Sequence, residues 1–358
     1  MKIVTVVGAR PQFIKEAVVS QELRKNHKEI LVHTGQHFDY NMSQQFFEEL
    51  SIPNPDYNLG ISGGTHAEMT GKMMMAIEKV LLNEKPDGLL IFGDTNSTLA
   101  AALSASKLHV PICHVEAGAR TWSATNPEEI NRVCVDHISS LLLTSTESGI
   151  ENLKKEGLYD KSSFVGDPMY DAFIKYSQIS PKNKTLNLLS GEVISIPEEY
   201  LYLTCHREEN TGNDDCLIEV LSAMECLNCK VIYPVHPRNK ERALRIKNEY
   251  GFSNTILTEP VGYIESIYLV NNAQKVVTDS GGLQREAFFA KKKCVTLLDF
   301  VCWPETMVDN RNNLARPEKS SILNELEKEQ KIDIDYCPFG DGKASKKIVS
   351  EIERVFDR

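Results

Sequence analysis

Three acidic residues follow predicted strands in the first half of the sequence, where they could carry out acid–base chemistry. Asp94 comes just after the apolar run at residues 88–92, Glu116 ends the next run, and Glu128 opens the helical stretch that follows. Because parallel strands end at one edge of a sheet, we expect these carboxylates to crowd together there. Repulsion between like charges makes it easier for one of them to take up a proton. The pattern therefore predicts a catalytic group of Asp94, Glu116 and Glu128.

The same acidic residues also fit a purely structural interpretation. Glu128 and Glu129 follow Pro127, and acidic residues after a proline commonly cap the start of a helix. Asp94 could likewise be the N-cap of the helix predicted at residues 97–108. The sequence alone leaves both interpretations open.

The stretch at residues 277–289 predicts an anion site between a strand and a helix. β-Branched residues run into Ser280, Gly281 and Gly282, after which apolar residues recur at helical spacing. The first N–H groups of a helix have no intrahelical partner, and glycines there let a phosphate approach the backbone. Glu286, about one turn further on, would accept hydrogen bonds from a ribose. The alternative is a tight turn in which Ser280 only caps the helix.

Cations near the first predicted strand suggest a second contact to the same kind of ligand. Arg10 and Lys15 lie at the start of a predicted helix, where a cation opposes the helix dipole, so their placement indicates a bound anion. The sequence contains neither GxGxxG nor GxxxxGK followed by Ser or Thr. The absence of these motifs argues against NAD and ATP as ligands.

Two predicted strands of the second half each end in a histidine with an arginine nearby. His206 precedes Arg207, and His236 lies two positions before Arg238. A single histidine is more often structural, but two such pairs at equivalent strand ends indicate a polyanion site. A metal site is less favoured, because no carboxylate or histidine stands at ligand spacing from either histidine.

Apolar strands alternate with amphipathic helices over residues 2–144 and again over residues 200–297, and these elements must position the polar residues. Strands separated by helices of about 10 to 15 residues predict parallel βαβ units and doubly wound sheets. The polar segment at residues 175–199 interrupts the alternation and predicts a linker and loop.

We therefore predict an α/β protein with two doubly wound Rossmann-like domains facing a cleft. Residues 1–174 form an N-terminal domain with the catalytic carboxylates, and residues 175–340 form the domain that binds the anion. Residues 341–358 form a final helix that could pack back on the N-terminal domain.

Composition excludes several classes of function. The 358 residues carry a net charge of −10, and 41% are hydrophobic and 25% charged, as in globular proteins with their own cores. An acidic chain without a cluster of basic residues argues against a nucleic-acid partner. No apolar run reaches the roughly 18 residues of a membrane span, and no signal segment precedes the first strand. We expect a cytoplasmic protein without a membrane partner.

The nine cysteines are scattered and odd in number, which favours reduced thiols over a disulfide framework. Cys226 and Cys229 form one CxxC motif. Without a second pair or a nearby histidine, this motif favours two packing thiols over a zinc site.

Motifs throughout the chain resemble the non-hydrolysing UDP-N-acetylglucosamine 2-epimerases. The matching motifs, in order, are GARPQFIK at 8–15, TGQH at 34–37, FGDTNSTLAAALSA at 92–105, HVEAGART at 114–121, NPEEINR at 126–132, VGDPMYDA at 165–172, CHREEN at 205–210, YPVHP at 233–237, TDSGGLQREA at 278–287 and PFGDGKAS at 338–345. Any one of these motifs is weak, but an ordered series over most of the chain is specific.

The resemblance implies a fold, a reaction and roles for individual residues. It implies the two-domain glycosyltransferase-B fold and inversion at C2 of the sugar of a UDP-sugar, through elimination of UDP and re-addition, without NAD or a metal. The residues at the family's catalytic positions are Asp94, Glu116, Glu128 and His206. Those at the family's UDP positions are Arg10, Ser280, Gly281 and Glu286, and the residue patterns described above add Lys15, His236 and Gly282 to the residues expected to hold UDP.

The default reaction is conversion of UDP-N-acetylglucosamine to UDP-N-acetylmannosamine for the synthesis of surface polysaccharide. Residues 9–13 read ARPQF where the common pattern reads TRPEA, and QHFDYNMS at 36–43 is similar to the branch that acts on modified substrates such as UDP-2,3-diacetamido-2,3-dideoxyglucuronic acid. The rival interpretations are a UDP-sugar glycosyltransferase, a hydrolysing epimerase and a non-catalytic UDP-sugar-binding regulator. We further expect a homodimer.

Overall fold

The chain divides into two compact α/β units, which we call the first and the second unit. The computed structural model describes residues 1–36, 44–123, 125–181 and 183–356. The first unit consists of Met1–Ile174 together with Cys337–Arg358, and the second unit is Lys175–Tyr336. The chain therefore returns to the first unit at its C-terminus.

The described residues form short strands and helices in alternation. The elements are β1 (Lys2–Val7), α1 (Arg10–Leu23), β2 (Lys28–His33), α2 (Gln44–Glu49), β3 (Tyr57–Asn58), α3 (His66–Glu84), β4 (Gly88–Phe92), α4 (Asn96–Lys107), β5 (Ile112–Val115), α5 (Pro127–Ile138), β6 (Leu141–Thr144), α6 (Glu147–Lys155), β7 (Ser162–Phe164), α7 (Pro168–Tyr176), β8 (Thr185–Asn187), β9 (Val193–Ser195), β10 (Tyr200–Thr204), α8 (Glu208–Thr211), α9 (Asp214–Glu225), β11 (Lys230–Pro234), α10 (Lys240–Tyr250), β12 (Thr255–Thr258), α11 (Tyr263–Asn272), β13 (Lys275–Thr278), α12 (Gly281–Phe289), β14 (Lys293–Thr296), β15 (Asn312–Leu314), α13 (Lys319–Glu327) and α14 (Ala344–Phe356). No helix in these ranges is long and apolar enough to cross a membrane.

A seven-stranded parallel sheet forms the centre of the first unit, in the order β3-β2-β1-β4-β5-β6-β7. Strands β4 and β5 are buried along their whole length, as expected for apolar strands covered on both faces. The strand order reverses between β1 and β4. Ligands of open α/β sheets bind beyond the carboxyl ends of the strands at such a reversal. The turns after β1 and β4 therefore lie where a ligand is expected.

The second unit contains a six-stranded parallel sheet in the order β12-β11-β10-β13-β14-β15. Buried tyrosine, valine and leucine side chains of β10, β11 and β13 form its core with α9 and α11. Its strand order reverses between β10 and β13, so the turns after these two strands occupy the equivalent place. The predicted α/β fold with two parallel, doubly wound sheets is confirmed.

The final helix, α14, belongs to the first unit and packs against α1. The carboxylate of Asp171 accepts hydrogen bonds from the N–H groups of Ala344 and Ser345 at 3.0 and 2.8 Å, which caps the start of the helix. A Cβ atom on Gly88 would lie 2.5 Å from the ring of Phe356, so β4 starts with a glycine because α14 ends there.

The prediction that residues 175–199 form only a linker and loop was wrong in part. Strands β8 and β9 pair in an antiparallel hairpin, with Thr185 opposite Ser195 and Asn187 opposite Val193. Leu186 is buried, although its neighbours are polar. A strand of three residues shows too little alternation to stand out in a polar sequence, which explains the missed hairpin.

Candidate active site

Asp94 lies in the turn after β4 and is held from two sides. Its carboxylate forms an ion pair with Arg132 of α5, and its carbonyl accepts a hydrogen bond from Asn131 Nδ2 at 2.8 Å. The side chain of Thr95, and not that of Asp94, caps α4 by accepting from the N–H of Thr98. The alternative that Asp94 is an N-cap is therefore wrong, and its carboxylate is directed to an arginine.

Glu116 follows β5 in the left-handed region, with φ of +72°. Its carboxylate forms an ion pair with Lys15, and the two side chains are only 6% and 2% exposed. A buried carboxylate with a buried cation beside it keeps its charge in a poorly hydrated environment. Lys15, which the sequence assigned to UDP, thus has a carboxylate of the first unit as its partner.

The neighbours Glu128 and Glu129 have different roles. Asn126 caps α5 by accepting from the N–H groups of both, at 2.9 and 3.2 Å, so neither glutamate is the N-cap. The Glu129 carboxylate accepts from the N–H groups of Thr121 and Trp122 at 2.9 and 3.0 Å and thereby fixes the preceding loop. Glu128 is half-buried, and no described residue pairs with its carboxylate.

Arg132 is a site residue that the sequence reasoning did not single out. It forms ion pairs with Asp94 and, at 3.1 Å, with Glu129. It stands four positions after Glu128 and therefore lies on the same face of α5. That spacing within NPEEINR was the signal that could have identified it.

The turn after β1 is occupied by the side chain of Gln12. Its Oε1 atom accepts from the N–H groups of Gly8 and Ala9 at 2.8 and 3.0 Å, and its Nε2 atom donates to the carbonyl of Phe92 at 2.8 Å. These two backbone N–H groups already have an acceptor and are therefore not available to an anion. Arg10 is half-buried, with its guanidinium 4.8 Å from the centre of the Phe46 ring.

Position 8 has no space for a side chain, which explains the glycine there. A Cβ atom there would lie 2.2 Å from both Ser97 Oγ and Thr34 Oγ1, whose hydroxyl groups are 2.9 Å apart. The glycine at this strand end thus allows close contact with α4, which differs from the role of a phosphate-binding glycine.

A charged network with a fully buried centre connects β5 and α5. His114 and Asp136 have no exposed surface, and the Nδ1 atom of the ring lies 2.7 Å from the Asp136 carboxylate. Arg120 forms ion pairs with Asp136 and Glu156, both at 2.7 Å. Burial by itself raises the pKa of Asp136, but hydrogen bonds and charges of His114 and Arg120 outweigh this effect, and the net pKa lies below the usual range. Asp136 is therefore ionised.

Asp279 organises the equivalent edge of the second unit. Its buried carboxylate accepts from the N–H groups of His206 and Arg207, both at 2.7 Å, and lies 3.2 Å from the Nδ1 atom of the His206 ring. Asn210 Nδ2 adds a fourth contact at 3.3 Å. The turns after β10 and β13 are thus joined through one carboxylate, a role that the sequence reasoning did not assign to it.

The two predicted histidines of the second unit lie next to each other. The rings of His206 and His236 stack with their centres 6.3 Å apart, and Arg238 donates from Nη2 to the carbonyl of His206 at 2.7 Å. His206 is 43% exposed. The two rings and the Arg238 guanidinium can therefore meet an incoming anion.

The turn at Ser280 opens α12 in the predicted manner. Ser280 is the N-cap, and its hydroxyl accepts from the N–H of Leu283 at 3.4 Å. A Cβ atom on Gly281 would meet nothing closer than Trp303 Nε1 at 4.0 Å, so a ligand can approach the backbone here. Glu286 is 5% exposed, one turn further along the same helix.

A cavity of about 870 Å³ opens beside this edge of the second unit. Arg207 and Asn210, which both contact Asp279, are part of its lining, together with Phe300 and Arg316. Its volume is that of a site for a nucleotide-sized ligand.

A metal centre has no obvious location in the described ranges. There, no three His, Cys, Asp or Glu side chains come together in an arrangement that could hold a metal ion. Cys226 is exposed and Cys229 is half-buried, and both are free thiols.

Comparison with known proteins identifies the family. Residues 21–353 match the family model described as UDP-N-acetylglucosamine 2-epimerase. The chain is 46% identical to a UDP-N-acetylglucosamine 2-epimerase homolog of Methanococcus maripaludis and 42% identical to the UDP-2,3-diacetamido-2,3-dideoxy-D-glucuronate 2-epimerase of Pseudomonas aeruginosa. Each alignment covers 99% of this chain and all of the relative.

A solved structure agrees over the same length. The Methanocaldococcus jannaschii UDP-GlcNAc 2-epimerase in complex with UDP-GlcNAc and UDP superimposes with a TM-score of 0.86 at 38% identity, over 99% of this chain and 100% of that one. The predicted fold, the predicted family and the predicted class of enzyme, an isomerase, are confirmed, and the chain belongs to the UDP-N-acetylglucosamine 2-epimerase family.

Proposed function

We propose that this protein is a 2-epimerase of UDP-2-acetamido sugars, with interconversion of UDP-N-acetylglucosamine and UDP-N-acetylmannosamine as its default reaction. The observation that carries the proposal is the set of carboxylates at adjacent strand ends of the first unit. Glu116 is paired with Lys15, Asp94 is paired with Arg132, and the Glu128 carboxylate has no described partner. Relatives that align over nearly their whole length and are named as UDP-N-acetylglucosamine 2-epimerases, or as a homolog of these enzymes, support the same reaction.

The reaction proceeds by elimination and re-addition. A carboxylate takes the proton from C2, the electrons of the C–H bond form the C1–C2 double bond, and the C1–O bond breaks so that UDP leaves. The 2-acetamidoglucal has a planar C2, and return of UDP to C1 with a proton to the other face of C2 gives the epimer. We assign the proton transfers to the set of Asp94, Glu116 and Glu128, because removal of the C2 proton needs a carboxylate base and all three follow adjacent strands of the first unit.

The second unit supplies the groups that hold UDP and balance its charge when it leaves. His206, fixed by Asp279 through its own backbone N–H, is the proposed proton donor to the departing diphosphate. Ser280, Gly281 and Gly282 offer the N-terminus of α12 to phosphate oxygens, and Glu286 accepts from the ribose. His236 of the second unit completes this part of the proposed set, and Arg10 and Lys15 are the members proposed from the first unit.

A second candidate substrate is a modified sugar such as UDP-2,3-diacetamido-2,3-dideoxyglucuronic acid. The Pseudomonas aeruginosa relative of that name is 42% identical over its whole length. The segment QHFDYNMS, which led to this alternative, lies at residues 36–43, of which 37–43 are outside the described residues. The reaction at C2 is the same for both substrates.

The proposal includes where the enzyme acts and how it assembles. We place the reaction in the cytoplasm, in line with the reduced state expected of scattered cysteines, and we assign its product to the synthesis of surface polysaccharide. The homodimer stays a prediction.

The decisive experiment is incubation with a panel of UDP-2-acetamido sugars in deuterated water. An epimerase incorporates deuterium at C2 and releases a small amount of glycal and UDP. A glycosyltransferase would move the sugar to an acceptor without deuterium at C2, and a hydrolysing enzyme would release free sugar in proportion to UDP. Absence of deuterium at C2 from every sugar of the panel would refute the proposal.

A further inference from the structure

The buried side chain of His114 has no role in the reaction described above, although it contacts the turn that carries Asp94. Its Nε2 atom lies 2.7 Å from the carbonyl oxygen of Gly93, and its Nδ1 atom lies 2.7 Å from the carboxylate of Asp136. A carbonyl oxygen and an ionised carboxylate can only accept, so the ring is the donor in these contacts. His114 is therefore held between two acceptors, one on each side of its ring.

The contact to Gly93 begins where the regular strand pairing stops. The ladder between β4 and β5 ends at Phe92 opposite Val115, and the N–H of Gly93 donates to the carbonyl of Val115 at 2.9 Å. The Gly93 carbonyl is the next backbone group, and it belongs to the peptide that leads into Asp94. His114 thus fixes the orientation of the Gly93–Asp94 peptide.

That peptide lies beside the second catalytic carboxylate. Gly93 is in the left-handed region, with φ of +65°, and a Cβ atom on it would lie 3.6 Å from Lys15 Nζ and 3.7 Å from Glu116 Oε1. Rotation of the peptide would therefore move Asp94 relative to the pair of Lys15 and Glu116.

The other partner, Asp136, connects the same contact to further parts of the site. Its second carboxylate oxygen accepts from the N–H of Gly118 at 3.1 Å and lies 2.7 Å from Arg120 Nη2. Asp136 stands on α5, the helix that also carries Glu128 and Arg132. One alternating chain of charges thus joins the turn after β4, the loop after β5 and α5.

A buried charged network of this kind is costly to form. Taking His114 and Asp136 out of water carries a desolvation penalty that apolar residues of similar size would avoid. Its retention is explained if the network fixes groups that the reaction needs in one place. A displacement of about 1 Å in a reacting group can reduce the rate about 10²-fold.

We propose that His114 is a positioning residue for the epimerisation: held by Asp136, it fixes the Gly93–Asp94 peptide and thereby the catalytic carboxylate of Asp94. This inference rests on the proposed function, because it takes Asp94 to act on the substrate. His114 itself touches no reacting atom.

Two conservative variants separate the two hydrogen bonds of the ring. The amide nitrogen of Gln can take the place of Nε2, so His114→Gln keeps the donor to Gly93 and loses the bond to Asp136. The amide nitrogen of Asn can take the place of Nδ1, so His114→Asn keeps the bond to Asp136 and loses the one to Gly93. Each variant removes one buried bond, and we expect similar decreases of Tm.

The turnover rate should distinguish His114→Gln from His114→Asn. We expect kcat to fall at least about 10-fold further in His114→Asn than in His114→Gln, with KM and the Kd of UDP close to wild type in both. A merely structural role would lower kcat of the two variants equally, or in proportion to the fall of Tm. Either result, or a greater loss in His114→Gln, would overturn the proposal.

Asp94→Asn, measured in parallel, separates this inference from the proposed function. If Asp94→Asn turns over normally, the assignment of Asp94 fails and the role of His114 fails with it. If Asp94→Asn is inactive and the two His114 variants are equal, only the present inference fails. Should His114→Asn not fold, His114→Gln decides, because it keeps the donor to the Gly93 carbonyl. A kcat within a few-fold of wild type at a lowered Tm then supports the proposal, and a loss of kcat as large as that of Asp94→Asn overturns it.

Discussion

The carboxyl edges of the two sheets differ in how their charged groups are held. In the first unit, buried cations stand directly against the strand-end carboxylates, Lys15 against Glu116 and Arg132 against Asp94. A buried carboxylate that is paired in this way keeps its position and charge with little help from water. On the proposed assignment, such a group is in place for proton transfer before any ligand arrives.

In the second unit, the buried charge is held mainly by the main chain. The carboxylate of Asp279 accepts from the backbone N–H groups of His206 and Arg207, and the ring of His206 stays 43% exposed. The N-terminus of α12 at Ser280 and Gly281 is open as well. The comparison fits the proposed division of roles, in which the first unit is preorganised for chemistry and the second leaves its polar side chains and N–H groups available for binding.

Removal of the cation beside Glu116 is the change with the largest expected effect. Lys15→Met leaves a buried carboxylate without its cation, which should cost about 3–5 kcal/mol of stability and abolish most turnover. Thermal or denaturant unfolding and a turnover assay measure both effects. Lys72→Met is the matched control, because Lys72 forms an ion pair with Glu68 on the exposed surface of α3 and its loss should change neither quantity. Equal behaviour of the two variants would show that the first edge is not preorganised by buried charge.

Substitution of the two adjacent glutamates of α5 should distinguish a catalytic role from a structural role within the first unit. Glu128→Gln should lower kcat by about 10² or more at unchanged Tm, because the proposed role of its carboxylate is that of an acid or base and it holds no described residue. Glu129→Gln should lower Tm by the equivalent of about 1–3 kcal/mol, since its carboxylate accepts two backbone N–H groups, and should reduce kcat less. The reverse pattern would mean that the two roles have been exchanged.

A substitution in the proposed UDP site of the second unit should change the affinity for UDP. Glu286→Ala should weaken UDP binding by about 1–3 kcal/mol in calorimetry, because a buried acceptor for the ribose is lost, while kcat at saturating substrate changes little. Glu241→Ala on the exposed side of α10 is the control and should bind UDP as the wild type does. Unchanged affinity of the Glu286 variant would remove α12 from the proposed UDP site.

The smallest effect is expected from a buried carboxyl of the first unit outside the site. Burial, and then the nearby charge of Glu29, raise the pKa of Glu16 well above its ordinary value of 4.5. The folded state therefore binds this proton more tightly than the unfolded state, so the stabilisation is complete below pH 4.5 and is lost as the pH rises through the raised pKa. Glu16→Gln replaces a neutral acid with a neutral amide of similar size and should change stability by less than about 1 kcal/mol at pH 4.

As the pH rises, the stability of wild type should fall relative to Glu16→Gln. Unfolding curves of both proteins at a series of pH values test this difference, and parallel curves throughout would show that Glu16 titrates normally. Turnover of the variant at neutral pH should equal that of wild type, because Glu16 is not part of either site edge.

Local patterns predicted the regular elements of the sheets well. Strands β4 and β10 are apolar runs between glycine or polar turns, so periodicity and turn chemistry define them without knowledge of the fold. The hairpin of β8 and β9 was missed because its stability depends on burial of Leu186 among residues far away in the sequence. Short strands of this kind have no signal that is local.

The partners of individual side chains within the protein could not be predicted for the same reason. The assignment of Lys15 to a phosphate stays a prediction, and the sequence did not show its ion pair with Glu116, which is about a hundred positions away. Gln12 was noted only as a departure from the common motif, yet it joins the turn after β1 to the end of β4. Such pairs form only when the sheet brings distant turns to one edge.

By itself, the sequence determined the α/β alternation, the placement of acidic, cationic and glycine-rich turns at strand ends, and the family to which the chain belongs. These features depend on residue type and short spacing, which the chain carries in every conformation. Only the tertiary structure decided which of two adjacent glutamates is committed to the backbone, since Glu129 and not Glu128 accepts the N–H groups of the preceding loop. Neighbouring residues of a helix point in directions about 100° apart. Two adjacent residues of the same type therefore contact different groups once the helix packs against its surroundings.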